Sequence, residues 1–118
     1  MSSKILRKFI NTCSITFKAY EHEVVISKNK ANLWHFSTTM SNGKKFMVYC
    51  APQLGKVRSI VKIALKKIPA DSRLVVICEN LSDKDRVEAD TQGYCLVDIG
   101  TLQKYGTDMI DAKMRDAA

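Results

Sequence analysis

A mixed α/β fold, with a sheet of antiparallel and parallel strands clad in helices, is what the hydrophobic patterning of this 118-residue chain predicts. Three observations carry that expectation. An amphipathic N-terminal segment precedes three short β-rich runs separated by tight turns. Each later β-rich run is reached through a helical segment. The run Arg73–Cys78 is apolar beyond its first residue, as a strand covered on both faces should be. Short connections make an antiparallel meander, and helical connections favour right-handed parallel crossovers. The predicted order is α-β-β-β-α-β-α-β-α, in a single domain over residues 1–118.

Ser2 or Ser3 can cap a first helix reaching about Tyr20, because Ile5, Leu6, Phe9, Ile10, Cys13 and Phe17 share one face. Extended segments follow at Glu23–Ser27, Leu33–Met40 and Lys45–Cys50. They are separated by Lys28-Asn29-Lys30 and by Ser41-Asn42-Gly43, the latter a strong hairpin signal. A second helix is expected from Leu54 to Ile68, with Val57, Ile60, Val61, Ala64, Leu65 and Ile68 as its apolar stripe and Pro69 as its stop. Arg73–Cys78 is the fourth strand. Ser82 and Asp85 have the spacing of a capping box and open a short helix to about Thr91. Gln92-Gly93 turns into a strand at Tyr94–Val97, Thr101–Tyr105 reads as a helical turn, and Thr107 can cap a weak last helix in the 106–118 tail using Ile110 and Met114.

Composition excludes several classes. With 46% hydrophobic and 26% charged residues the chain is expected to be globular, and no run of 18 apolar residues spans a membrane. The N-terminus lacks the apolar core and cleavage site of a signal peptide, so a cytoplasmic setting is expected. Cys13, Cys50, Cys78 and Cys95 are spaced by 37, 28 and 17 positions, with only His22 and His35 beside them. That spacing makes no zinc module and points to buried, reduced thiols.

Charge is the most informative feature. Residues 1–70 carry 13 Lys and Arg against Glu21 and Glu23, a net +11, whereas residues 71–118 carry 6 against 10, a net −4. Between Val24 and Ala70 there is no acid at all, but nine bases: Lys28, Lys30, Lys44, Lys45, Lys56, Arg58, Lys62, Lys66 and Lys67. Such a stretch attracts polyanions and offers a divalent metal no carboxylate. Arg58, Lys62 and Lys66 form an i, i+4 row on the second helix. The Lys28–Lys30 turn and the Lys44–Lys45 turn are expected to join them at one end of the meander.

From Gly43 to Tyr105 the chain resembles the restriction-endonuclease-like, or PD-(D/E)xK, superfamily, whose core is αβββαβ. The string GKKFMVYC, the amphipathic helix after it, and RLVVICENLSDKDRVEADTQGYCLVDIGTLQKYG resemble its Mrr-type branch. The resemblance implies a metal-dependent nuclease site, with an acid on the second strand and (D/E/Q)-x-K on the third. This chain departs from that pattern. Tyr49-Cys50-Ala51 or Met47-Val48-Tyr49 stands at the motif, and Asn32, Trp34 and His35 stand on the second strand. Only Glu21 and Glu23 precede the meander. The resemblance therefore implies a dismantled catalytic centre with no metal or cofactor, and it suggests a phage or mobile-element setting.

Other chemistry is sparse. No Gly-rich phosphate loop is present. His35 suits a packed or surface role better than a general base, and Cys50 has no sequence partner for nucleophilic work. Asp83, Asp85, Glu88 and Asp90 suit a solvated or protein-docking face. Trp34, Phe36 and Tyr49 suit core packing better than base stacking. Two function classes follow. The first is a non-catalytic nucleic-acid-binding protein, with DNA the expected partner, using Lys28, Lys30, Lys44, Lys45, Lys56, Arg58, Lys62 and Lys66. The second is a protein-interaction or assembly module, homodimers included. An active metal-dependent endonuclease is a minor third.

Overall fold

The computed structural model describes residues 3–27, 33–108 and 110. Its elements are α1 (Ser3–Ala19), β1 (Glu23–Ile26), β2 (Phe36–Thr39), β3 (Lys45–Cys50), a 3-10 turn (Leu54–Lys56), α2 (Arg58–Lys67), β4 (Ser72–Cys78), α3 (Asp83–Gln92), β5 (Cys95–Asp98) and α4 (Ile99–Tyr105). Five strands form one mixed sheet in the order β1-β2-β3-β4-β5. β1, β2 and β3 pair antiparallel, and β3, β4 and β5 pair parallel.

The two crossover helices lie on the same face. Val61 and Ala64 of α2 and Ala89 of α3 pack with Met47, Tyr49, Leu74, Val76 and Leu96. On the opposite face Phe9, Cys13 and Phe17 of α1, Leu102 of α4 and Ile110 pack with Phe36, Phe46, Val48, Val75 and Ile77. β3 and β4 are thus buried on both sides, which explains their near-continuous apolar runs. No helix among the described residues is long and apolar enough to cross a membrane.

Local chemistry accounts for the element ends. Gly43, at φ 87°, closes the Ser41-Asn42-Gly43 loop, with its N–H donating to Met40 O and Met40 N–H donating to Lys44 O. Ser82 caps α3 as expected: its hydroxyl accepts from Asp85 N–H, and its own N–H donates to the Asp85 carboxylate. α1 ends in a Schellman motif, in which Glu21 N–H donates to Lys18 O and His22 N–H to Phe17 O. Its left-handed position is held by Glu21 at φ 68°, where glycine carries no Cβ penalty. Glu21→Gly is accordingly expected to stabilise the fold by about 0.5–1 kcal/mol, read as a raised urea midpoint at unchanged m-value.

Three expectations need correction. The second helix does not run unbroken from Leu54, because Ala51 N–H and Pro52 O remain tied to β4 through Ile77 and Glu79. A 3-10 turn is then needed to swing the chain into α2 at Arg58. The second strand is shorter than Leu33–Met40 because Leu33 and Trp34 both pack on the α2/α3 face. Consecutive strand residues point to opposite faces, so the chain must bend there. Thr107 stands just before helical Asp108, where the expected cap belongs, and its hydroxyl bonds His22 Nε2; residues 111–118 with Met114 lie outside the described residues. The strand ends that flank the two lysine-bearing turns, finally, are not at one end of the meander, and Lys28 and Lys30 themselves lie outside the described residues. In antiparallel strands successive turns alternate ends, so the Ile26-to-Phe36 connection leaves the sheet opposite the hairpin that carries Lys44.

Candidate nucleic-acid interface

The β3–α2–β4 crossover determines which cations meet. α2 enters β4 through Ile68–Asp71, and Ser72, the first residue of β4, pairs with Lys45, the first residue of β3. The C-terminal turn of α2 therefore sits at the same end of the sheet as the hairpin. Lys44 and Lys45 of the hairpin are exposed there, as are Lys66 and Lys67 of the last turn of α2 and Lys62 one turn earlier. The basic last turn also complements the negative end of the helix dipole. Lys45 makes a long, exposed contact of 3.9 Å with Asp71, which such geometry holds weakly.

Of the eight residues expected to bind nucleic acid, four meet at this end: Lys44, Lys45, Lys62 and Lys66. Lys28 and Lys30 lie outside the described residues, and Lys56 is described by its backbone alone. Arg58 has a different job. Its guanidinium bonds Asp85 at 2.6 Å and pairs with Glu88 at 2.8 Å, joining the start of α2 to α3. Asp85 and Glu88 are thereby half-buried partners rather than a freely solvated acidic face. Asp85 is held below its ordinary carboxylate value by the Ser82 backbone N–H above all, with the Ser82 hydroxyl and Arg58 adding to it.

Two cations at the hairpin end were outside the expected set. Lys67 follows Lys66 on α2. Arg73, second in β4, is exposed although Ser72 before it and the five residues after it are buried. Only its place at a strand end, where an apolar run begins with a charge, signals this in sequence.

Beside the hairpin an open cavity of about 340 Å³ is walled by Glu21, His22, Met40, Ser41, Thr107 and Asp108. Glu21 and Asp108 make its rim unfavourable to phosphate and bound the cationic surface on that side. His22 is buried between β1, β2 and the chain after α4, bonding Thr38 Oγ1 at 3.0 Å and Thr107 Oγ1 at 2.9 Å.

Burial pushes the His22 pKa below its ordinary 6.5, with Asp108 opposing in part. Burial lowers His35 as well. An unfolded chain therefore takes up protons near pH 6.5 that the folded chain refuses. Stability is full above that pH and falls as pH drops through it towards the folded values. We expect the urea midpoint to fall between pH 7.5 and pH 5 in wild type, and to fall less in His22→Gln. Asp85 and Asp98 are held below the ordinary carboxylate value and do not contribute in this window.

The third-strand positions at which the resemblance expects a nuclease motif are closed to solvent. Met47, Val48, Tyr49, Cys50 and Ala51 are buried, and Phe36 is fully buried. Trp34 is half-buried and packs against the α2/α3-face core. His35 stacks near Tyr49, with ring centroids 4.7 Å apart, and its Nδ1 accepts from Cys50 N–H at 2.8 Å. That nitrogen is engaged as an acceptor, so His35 closes the β2–β3 ladder. All four cysteines are buried and unbridged. Burial, then contact with the Cys13 thiol, drives the Cys50 pKa well above its ordinary value, which suppresses the thiolate a nucleophile needs. Among the described residues, no three His, Cys, Asp or Glu side chains gather as metal ligands.

No family model, curated protein or solved structure matches this chain.

Proposed function

We propose that this protein binds nucleic acid, DNA foremost, without cleaving it, on a scaffold of the restriction-endonuclease-like type. The observation that carries the reading is the convergence of Lys44, Lys45, Lys62, Lys66 and Lys67 on one end of the β3–α2–β4 unit. All five come from the stretch between Val24 and Ala70 that contains no acid. Flexible, exposed ammonium groups on a hairpin and a helix end suit phosphate contacts, which position a protein on a duplex without reading sequence.

Support for the scaffold is the order α-β-β-β-α-β, with an antiparallel meander followed by a parallel crossover. Support for binding without cleavage is that apolar, buried side chains occupy the third strand where that superfamily places its metal-binding pair.

The test is a salt titration of binding to duplex, single-stranded and branched DNA, with Mg²⁺ present to score nicking. Five phosphate contacts give an expected log K against log salt slope of about −4.5 on duplex. A slope near zero would overturn the reading, and EDTA-sensitive nicking would replace it with a nuclease. In its place, a stoichiometric protein partner without retention on DNA would establish an assembly module.

A further inference from the structure

We infer that the exposed face of α2 lies in the major groove of duplex DNA, with Ile63 and Ile60 against thymine C5-methyl groups and lysines on the phosphates to either side. The inference rests on the DNA-binding reading above and adds what the helix meets between its phosphate contacts.

α2 carries more apolar side chains than its contact with the sheet uses. Val61 and Ala64 are buried, and Val57, Leu65 and Ile68 pack against the same cluster. Ile60, which the periodicity places in that stripe, is 39% exposed, and Ile63 is 48% exposed. One exposed isoleucine is ordinary on a protein surface. Two of them a helical turn apart, set among lysines, make a surface of defined chemistry. At about 100° per residue, Lys66 lies about 60° to one side of Ile63 and Lys67 about 40° to the other. Lys62 stands beyond Lys66, and Ile60 lies on the Lys67 side, one turn towards the N-terminus. All three lysines are exposed, and α2 contains no acid. Ile63 is thus an apolar centre with cations on both flanks.

An occupant must be anionic at both flanks and apolar between them. Protein interfaces deplete lysine from their cores, where aromatic residues, methionine and arginine gather. The outer face of α2 has the opposite composition, with three lysines, two isoleucines and no aromatic residue. The major groove of B-DNA fits it. That groove is about 12 Å wide and a helix about 10–12 Å across, so the helix enters with phosphates on either side. Each A·T pair presents a methyl group on the groove floor, where aliphatic side chains make apolar contact. The flexible lysine stems reach outwards to the phosphates. Ser59, exposed one turn before Ile63, offers a hydroxyl to the same floor.

The test compares binding to an alternating A·T duplex and to the same duplex with deoxyuridine in place of every thymidine. The replacement removes the methyl groups and keeps every phosphate. Burying one methyl group is worth about fourfold in affinity, so wild type is expected to favour the thymidine duplex by at least about fourfold at an equal salt slope. Ile60→Ala/Ile63→Ala should bind the two duplexes alike, with the wild-type salt slope, since the lysines remain.

Equal wild-type affinity for the two duplexes, at an undiminished salt slope, overturns the inference and leaves DNA binding standing. A thymidine preference that survives in the double variant overturns it as well. A slope near zero removes DNA binding itself, and the inference with it. Wild-type retention on phosphatidylserine vesicles, lost in the double variant, would overturn it by giving this face to a lipid surface. If the double variant misfolds, Ile63→Ala alone decides through the same pair of duplexes.

Discussion

Lys62→Glu/Lys66→Glu is expected to weaken duplex DNA binding by about 60-fold or more at 0.1 M salt, without unfolding the protein. Each phosphate contact adds about 0.9 to the salt slope, so at 0.1 M one contact is worth roughly eightfold and two about 60-fold. The introduced carboxylates repel the backbone and push the loss further. Both lysines are exposed on α2, whose core contacts run through Val61 and Ala64, so the fold should be untouched. The decisive companion is Lys44→Glu/Lys45→Glu on the hairpin. If the two elements form one surface, this pair should lose a similar factor, and the slope should drop from about −4.5 to about −2.7 in either variant. Wild-type affinity in either double variant, measured by fluorescence anisotropy, would break the surface apart and with it the proposal.

Arg58→Ala is expected to cost about 2–4 kcal/mol of stability while leaving DNA affinity unchanged at a temperature where the variant is folded. The side chains of Asp85 and Glu88 are only 14% and 21% exposed, and Arg58 reaches both of them. Truncating it leaves two carboxylates facing one another at the α2–α3 contact without a counter-charge. Arg58→Lys should recover part of the loss at most, because a single ammonium cannot bridge two carboxylates as a planar guanidinium does. Urea midpoints measure the cost. A loss below about 1 kcal/mol would mean that the bridge behaves as a surface pair. Loss of DNA binding in proportion to Lys62→Glu/Lys66→Glu would return Arg58 to the binding surface.

Much of the architecture was legible because its signals are local. The α1 stripe, the Asn42-Gly43 hairpin, the bounds of β3, the α3 capping box and the helix stop at Pro69 each depend on residues a few positions apart. What could not be read are the places where distant groups compete with a local pattern. Leu33 and Trp34 look like strand residues, but both leave the ladder for one face of the core. Thr107 has the look of a helix cap, but its hydroxyl also bonds a histidine 85 positions away. Arg58 continues the i, i+4 row of Lys62 and Lys66, and nothing nearby announces that α3 will claim it.

The candidate site divides in the same way. That a cationic surface should exist follows from the chain's acid-free stretch between Val24 and Ala70. Which cations share it depends on strand direction, and composition carries no information about that. Antiparallel neighbours send alternate turns to opposite ends, and a parallel crossover returns its helix to the end where its strand began. Helix, strand and turn types, and the sign of the charge, were thus determined by the sequence alone, because propensity and periodicity act over a turn or two. The sheet topology decided that Lys44 and Lys45 lie with Lys66, that Arg58 is bound by acids of another helix, and that β1 is a terminal strand of the sheet. Each of those depends on contacts between segments far apart along the chain.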